Sequence, residues 1–134
     1  MLRHLALRLY SRLAFIRHQM NPTCIFCKII AAEAPADIVY KDEQVTAFRD
    51  KHPVAQTHVL IVPNKHIASV NEAEPEDEAL LGHLFTVARK IAEMNGVAAD
   101  GYRLIVNTGA HGGQTVFHLH IHIIAGKRLR FSLG

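Results

Sequence analysis

A chain of 134 residues, 49% of them hydrophobic, carries enough apolar material for the core of one compact domain. Its formal net charge is only +3, and Arg3, Arg8, Arg12 and Arg17 supply much of the excess, so no interleaved basic and aromatic stripe of the kind that grips a polynucleotide is written into it. No apolar stretch approaches the length needed to cross a bilayer, which argues against a membrane partner.

The first 20 residues contain arginines, histidines and one serine but no acid, and Leu2, Leu5, Leu9, Leu13 and Ile16 fall on one helical face. That is how a mitochondrial transit peptide reads. A true start at Met20, with the upstream residues a misassigned frame or a flexible arm, explains the pattern equally. Residues 1–21 are therefore set apart as an N-terminal extension from a domain at 22–134. The expected location is intracellular: mitochondrial if the extension is a transit peptide, cytoplasmic otherwise.

Cys24 to Ala32 reads as a short helix closed off before Pro35, and Asp37 to Lys41, Val45 to Arg49 and His58 to Val62 read as strands. A long helix starts near Pro75, a good first helical position, with Glu76, Asp77 and Glu78 at the positive end of its dipole. Leu80, Leu84, Val87, Ala88 and Ile91 form its buried stripe, and Asn95-Gly96 is its stop signal. Strands at Tyr102 to Asn107 and Val116 to Ile124 complete an antiparallel α+β domain.

Cys24 and Cys27 form a C-x-x-C, which inside a cell points to zinc or redox chemistry more than to a structural disulfide. Two cysteines cannot complete a tetrahedral zinc site, so two further ligands must come from elsewhere; the bland alternative is two thiols packed like small apolar residues. A redox pair would need a thiol of low pKa at the helix start, and no other thioredoxin-like feature accompanies this one.

The stretch NTGAHGGQTVFHLHIHII at 107–124 is the most specific in the chain. His118, His120 and His122 alternate with Leu119, Ile121 and Ile123, so three imidazoles leave one face of a strand while the aliphatic chains enter the core. Alternate histidines can hold a metal. Upstream, however, Gly112-Gly113-Gln114-Thr115 suits a turn whose amides converge on an anion, with a hydroxyl and an amide beside it. Together these describe a phosphate pocket in which one histidine attacks phosphorus while its neighbours hold the non-bridging oxygens.

The run HLHIHII resembles the signature of the histidine triad proteins. The likeness extends through CIFCKIIAAEAPADIVYKDEQVTAFRD at 24–50, THVLIVPNKHI at 57–67, LLGHL at 80–84 and GYRLIVNTGAHGGQTVFHLHIHIIAGKRL at 101–129, blocks similar to the nucleotide-binding (HINT) branch of that family. The resemblance implies a fold with an antiparallel sheet of about five strands and two helices, and a homodimer that extends the sheet. It implies a purine nucleoside phosphoramidase that cleaves the P–N bond of AMP or GMP phosphoramidates through a nucleotidyl-histidine. No cofactor is expected for the chemistry.

By the same resemblance His120 is the nucleophile, His118 offers its main-chain carbonyl to hold the His120 tautomer, and His122 and the amides near Gly113 to Thr115 face the phosphoryl charge. Thr115 stands where relatives commonly carry serine, and its hydroxyl serves the leaving group; His58 stands at a further active-site histidine. Ile25, Phe26, Phe48 and Leu60 are assigned to the base, Asp50 to the ribose hydroxyls, and Asn107, Gly113 and Gln114 to the phosphate side. Some relatives hold a structural zinc through a C-x-x-C, the histidine of P-x-x-H and the first triad histidine; Cys24, Cys27, His66 and His118 match that set, although many members work without metal.

The chain departs from the family pattern at Lys51, usually aliphatic, and at Phe131, often tryptophan followed by two prolines. The competing readings are a dinucleotide polyphosphate hydrolase and a nucleotide-binding adaptor with little turnover.

Overall fold

A computed structural model of the chain describes residues 20–131. The transit-like pattern therefore lies, apart from Met20, outside the described residues. Helix α1 (Ile25–Ile30) is followed by β1 (Ile38–Lys41), β2 (Val45–Arg49) and β3 (Thr57–Pro63). Two single 3₁₀ turns, Val70–Glu72 and Pro75–Asp77, lead into α2 (Glu78–Met94), and β4 (Arg103–Ile105) and β5 (Ile121–Ala125) close the order. The five strands form one antiparallel sheet in the order β1-β2-β3-β5-β4, the architecture expected from the sequence.

Both faces of the sheet are covered, which explains why β3 is buried along its whole length. Against one face α2 sets Leu84, Val87, Ala88 and Ile91, meeting Ala47, Ile61, Ile121 and Ile123. Against the other, α1 brings Phe26, Ile29 and Ile30 to Phe48, Leu60 and Val62. The short α1 is capped by the Cys24 thiol, which accepts the Cys27 N–H. At the start of α2 Asp77 accepts the Glu74 N–H and pairs with Lys65 at 2.7 Å.

Three expected boundaries are corrected. The long helix opens with a 3₁₀ turn at Pro75 and becomes α-helical only at Glu78. The strand expected from Val116 to Ile124 joins the ladder only at Ile121, because the Pro63 carbonyl that would continue it accepts from the His118 side chain instead, and Leu119 N–H donates to Ile67 O. The strand expected over Tyr102 to Asn107 shortens to Arg103–Ile105 for the same reason: Ile105 pairs with His122, and beyond Ile121 there is no ladder left to join.

Asp42, in the β1–β2 turn, ties the sheet to α2. One carboxylate oxygen accepts the N–H groups of Gln44 and Val45, and the other takes the Tyr40 hydroxyl and faces His83 Nε2 at 2.6 Å. Burial alone would raise its pKa, but these four partners hold it down at about 2, below the ordinary 3.8. A carboxylate depressed in the folded state stabilises above its unfolded pKa and loses that contribution as pH falls through the folded one. Asp42→Ala is therefore expected to cost about 2 kcal/mol at pH 7, and the gap from wild type to narrow as urea titrations are taken from pH 4 toward pH 2. A gap that does not narrow would mean the loss is not electrostatic.

Candidate functional site

The antiparallel register builds the site on the α1 face. Phe48 pairs with Leu60 and Leu60 with His122, which places the three in one row across β2, β3 and β5. His58 pairs with Ile124, two positions from His122 on the same face, and Asp50 N–H donates to His58 O just past the end of β2. The side chains of Asp50, His58 and His122 consequently converge although 72 residues of chain separate the first from the last.

The alternation of HLHIHII holds in three dimensions even where it is not strand. Leu119, Ile121 and Ile123 enter the α2 core, and the three imidazoles turn toward α1, where the Phe26 ring meets His118 and His120 edge-on at 5.9 and 5.2 Å. Their hydrogen bonds assign each tautomer. His120 Nδ1 lies 2.6 Å from the His118 main-chain carbonyl, an acceptor only, so Nδ1 carries the proton and Nε2 keeps its lone pair. His118 Nε2 donates to Pro63 O at 2.7 Å, which leaves its Nδ1 as the lone-pair atom.

A third assignment follows at His58. Its Nδ1 accepts the Val54 N–H at 3.2 Å, so Nε2–H is directed at His122 Nδ1, 3.0 Å away, and at Asp50 Oδ2, 3.3 Å away. His122 then carries its own proton on Nε2, as a donor. This pattern does not suit a metal held by Asp50, His58 and His122, because His58 has no lone pair left on the nitrogen that would ligate. Burial, aided by His120 and His58, takes His122 down to about 4, and burial also lowers His120. Both are neutral at pH 7, as a nucleophile and a neutral donor must be.

These residues open into a cavity of about 970 Å³ lined by Ile25, Phe26, Ile29, Phe48, Leu60, Asp50, Asn107, Gly113, Thr115, His120 and His122 among others. The sequence expectation omitted Ile29, although its spacing of four from Ile25 and three from Phe26 sets it on their side of α1. It omitted Ala34 to Asp37 as well, which carries no motif and reaches the cavity only because α1 turns back at Ala32.

Two expectations for the glycine loop are corrected. Gln114 does not face the cavity: its side chain is buried, with Oε1 accepting Gly109 N–H and Nε2 donating to the Ala68 and Val116 carbonyls. The amides of Gly112, Gly113 and Gln114 are likewise spent inside the loop, on Gly109, Ala110 and Gly109 carbonyls. Among the described residues, the Thr115 N–H is the first in this run without a main-chain acceptor. A Cβ at Gly112 would press into the Thr108 carbonyl oxygen. Gly112→Ala is thus expected to cost about 1–3 kcal/mol in denaturant unfolding; wild-type stability would show that the loop opens freely.

Cys24, Cys27, His66 and His118 also meet, on the inner side of α1. The His118 Nδ1 lone pair lies 3.3 and 3.6 Å from the two thiols and 3.2 Å from His66 Nδ1, and Cys27 Sγ lies 3.4 Å from the same His66 atom. Two ring nitrogens facing each other at that distance need a proton or an ion between them, and two thiols with two imidazoles are a zinc donor set. Burial lowers His66 and takes His118 to about 4, while it raises Cys27 to about 11. An unligated Cys27 is therefore a thiol, which argues against redox use.

A family model described as the HIT domain matches residues 31–129. The purine nucleoside phosphoramidase of Escherichia coli K12 is 57% identical over 110 residues, covering 82% of this chain and 92% of the relative. A HIT family hydrolase from Clostridium thermocellum superposes with a TM-score of 0.83 at 45% identity, covering 85% of this chain and 99% of that one. A histidine triad protein from Clostridium difficile does so with a TM-score of 0.82 at 44% identity, covering 84% and 97%.

Proposed function

The chain belongs to the HIT domain family, and from that membership and the tautomers above we infer that it is a hydrolase acting as a purine nucleoside phosphoramidase. The observation that carries this reading is the 2.6 Å hydrogen bond from His120 Nδ1–H to the His118 carbonyl, which aims a neutral, lone-pair Nε2 into a cavity of nucleotide size.

The base lies against the wall formed by Ile25, Phe26, Phe48 and Leu60, where the Phe26 and Phe48 rings meet edge to face at 5.3 Å, and Asp50 accepts from the ribose hydroxyls. His120 Nε2 attacks the α-phosphorus, a P–N3 imidazole bond forms, and the bond to the leaving nitrogen breaks with its electron pair. The amine takes a proton from solvent, relayed by the exposed Thr115 hydroxyl. Water then attacks the nucleotidyl-histidine and gives up a proton to solvent, the P–N bond breaks with its electron pair returning to His120 Nε2, and the nucleoside monophosphate leaves with His120 in its starting form. His122 Nε2–H, held in place by His58, donates to the non-bridging oxygens in both steps, with Thr115 N–H beside it.

Cys24, Cys27, His66 and His118 are assigned as ligands of a structural zinc, which would lock α1 to the segment that carries the triad. The outer edge of β4, at one end of the sheet and without a neighbouring strand among the described residues, supports a homodimer that continues the sheet across it.

The test is parallel hydrolysis of adenosine 5′-phosphoramidate and a diadenosine polyphosphate by the purified protein. Preferential release of AMP from the phosphoramidate is expected. Faster cleavage of the polyphosphate would move the chain to the dinucleotide hydrolases, and AMP binding with neither turnover would make it a binding module.

A further inference from the structure

Lys51 is a cation of the cavity that the mechanism leaves unused. It lines the site and is exposed, and among the described residues its ammonium has neither a hydrogen bond nor an ion pair. The two carboxylates of the lining are already engaged, Asp37 with Arg49 at 3.0 Å and Asp50 with His58 at 3.3 Å.

Its position is well determined. Asp50 Oδ1 accepts the His52 N–H at 2.8 Å, closing an Asx turn around Lys51, while Asp50 N–H stays on the sheet through His58 O. The backbone of Lys51 is thereby held one residue beyond the carboxylate assigned to the ribose. From there its aliphatic stem can lie along the apolar slot while the ammonium stays at the rim.

The walls of that slot, Ile25, Phe26, Ile29, Phe48 and Leu60, are apolar. Stacking and burial accept either purine, since each has a similar face. Discrimination needs a charged or hydrogen-bonding atom at the base edge, and Asn107, Thr115, His120 and His122 are committed to the phosphate. His52, also at the rim, can present a donor or an acceptor and so selects neither edge.

We propose that Lys51 reads the purine edge and gives this pocket a preference for guanine over adenine nucleotides. Guanine offers two acceptors, O6 and N7, on one edge, which suit an ammonium; adenine puts an amino donor in place of O6. The inference rests on the purine phosphoramidase reading of the site and names the base that it favours.

The experiment is calorimetric titration of GMP and AMP into the wild type and Lys51→Met, alongside steady-state hydrolysis of guanosine and adenosine 5′-phosphoramidates by both. Methionine keeps most of the stem and removes the charge. The wild type is expected to bind GMP about tenfold more tightly than AMP, and the variant to bring that ratio, and the ratio of kcat/KM values, close to one. A ratio that is the same in both proteins, or a wild-type preference for AMP, overturns the proposal. So does a variant whose loss follows the charge of the leaving amine, tested with aspartate and alkylamine phosphoramidates, because Lys51 would then contact the leaving group. Expected GMP selectivity without turnover of either phosphoramidate would instead retain the base reading and remove the proposed activity.

Discussion

His120→Ala is expected to reduce phosphoramidate hydrolysis by about four orders of magnitude or more, the scale on which removal of a covalent nucleophile is felt when neighbouring groups act as a unit with it. His120 alone among the triad combines a lone pair open to the cavity with a proton fixed on the far nitrogen by a main-chain carbonyl. No neighbour can substitute. His118 is fully buried with one ring nitrogen on Pro63 O and the other in the cysteine cluster, and His122 presents a proton where attack needs a lone pair. The cost in stability is smaller, since the variant leaves one carbonyl without its partner, worth about 1–3 kcal/mol. Single-turnover assays of wild type and variant, with mass spectrometry of acid-quenched wild type for a nucleotidyl adduct on His120, check this. Activity within tenfold of wild type, or an adduct elsewhere, would discard the mechanism.

The opposite profile is expected for His118→Ala: large loss of stability and metal, limited loss of chemistry. Its imidazole is wholly buried, donates to Pro63 O, and supplies the lone pair that joins both thiols and His66. Truncation leaves a cavity, an unpaired carbonyl and a three-ligand set, together about 3–5 kcal/mol. The part of His118 that serves catalysis is its backbone carbonyl, which alanine keeps, so kcat of the folded fraction is expected to fall by about tenfold. Unfolding midpoints, zinc content per chain and kcat on the same preparations separate the effects. The wild type should carry close to one zinc and the variant close to none. Equal stability and equal metal content would remove the zinc assignment, and a kcat as low as that of His120→Ala would give the His118 ring a part in the chemistry.

Much of this arrangement was legible in the chain because it follows from local period. The alternation of HLHIHII sends aliphatic side chains one way and imidazoles the other whether or not the backbone is in a ladder, so the histidine face survives even though β5 begins only at Ile121. The α2 stripe and the strands β2 and β3 follow equally from spacing and branching. The C-x-x-C suggested zinc by residue type but left two ligands open, and it was the family resemblance that named His66 and His118.

Tertiary structure decided what depends on register and on competition for hydrogen bonds. Whether His58 touches His122 turns on which residue of β3 faces which of β5, and a slip of one position would turn every side chain to the other face. The loop amides were expected to hold phosphate, yet Gly112, Gly113 and Gln114 bond within the loop and the Gln114 side chain staples it from inside, because buried polar groups must find partners and the nearest carbonyls were their own. The meeting of Cys24 with His118, 94 residues apart, likewise required α1 to pack beneath the triad. Sequence alone thus determined which chemical groups this protein presents and on which face of each segment, and the family resemblance added the His120 tautomer; only the folded chain decided which nitrogen holds the proton in His58, His118 and His122, since a tautomer is chosen by the partner on the opposite side of the ring.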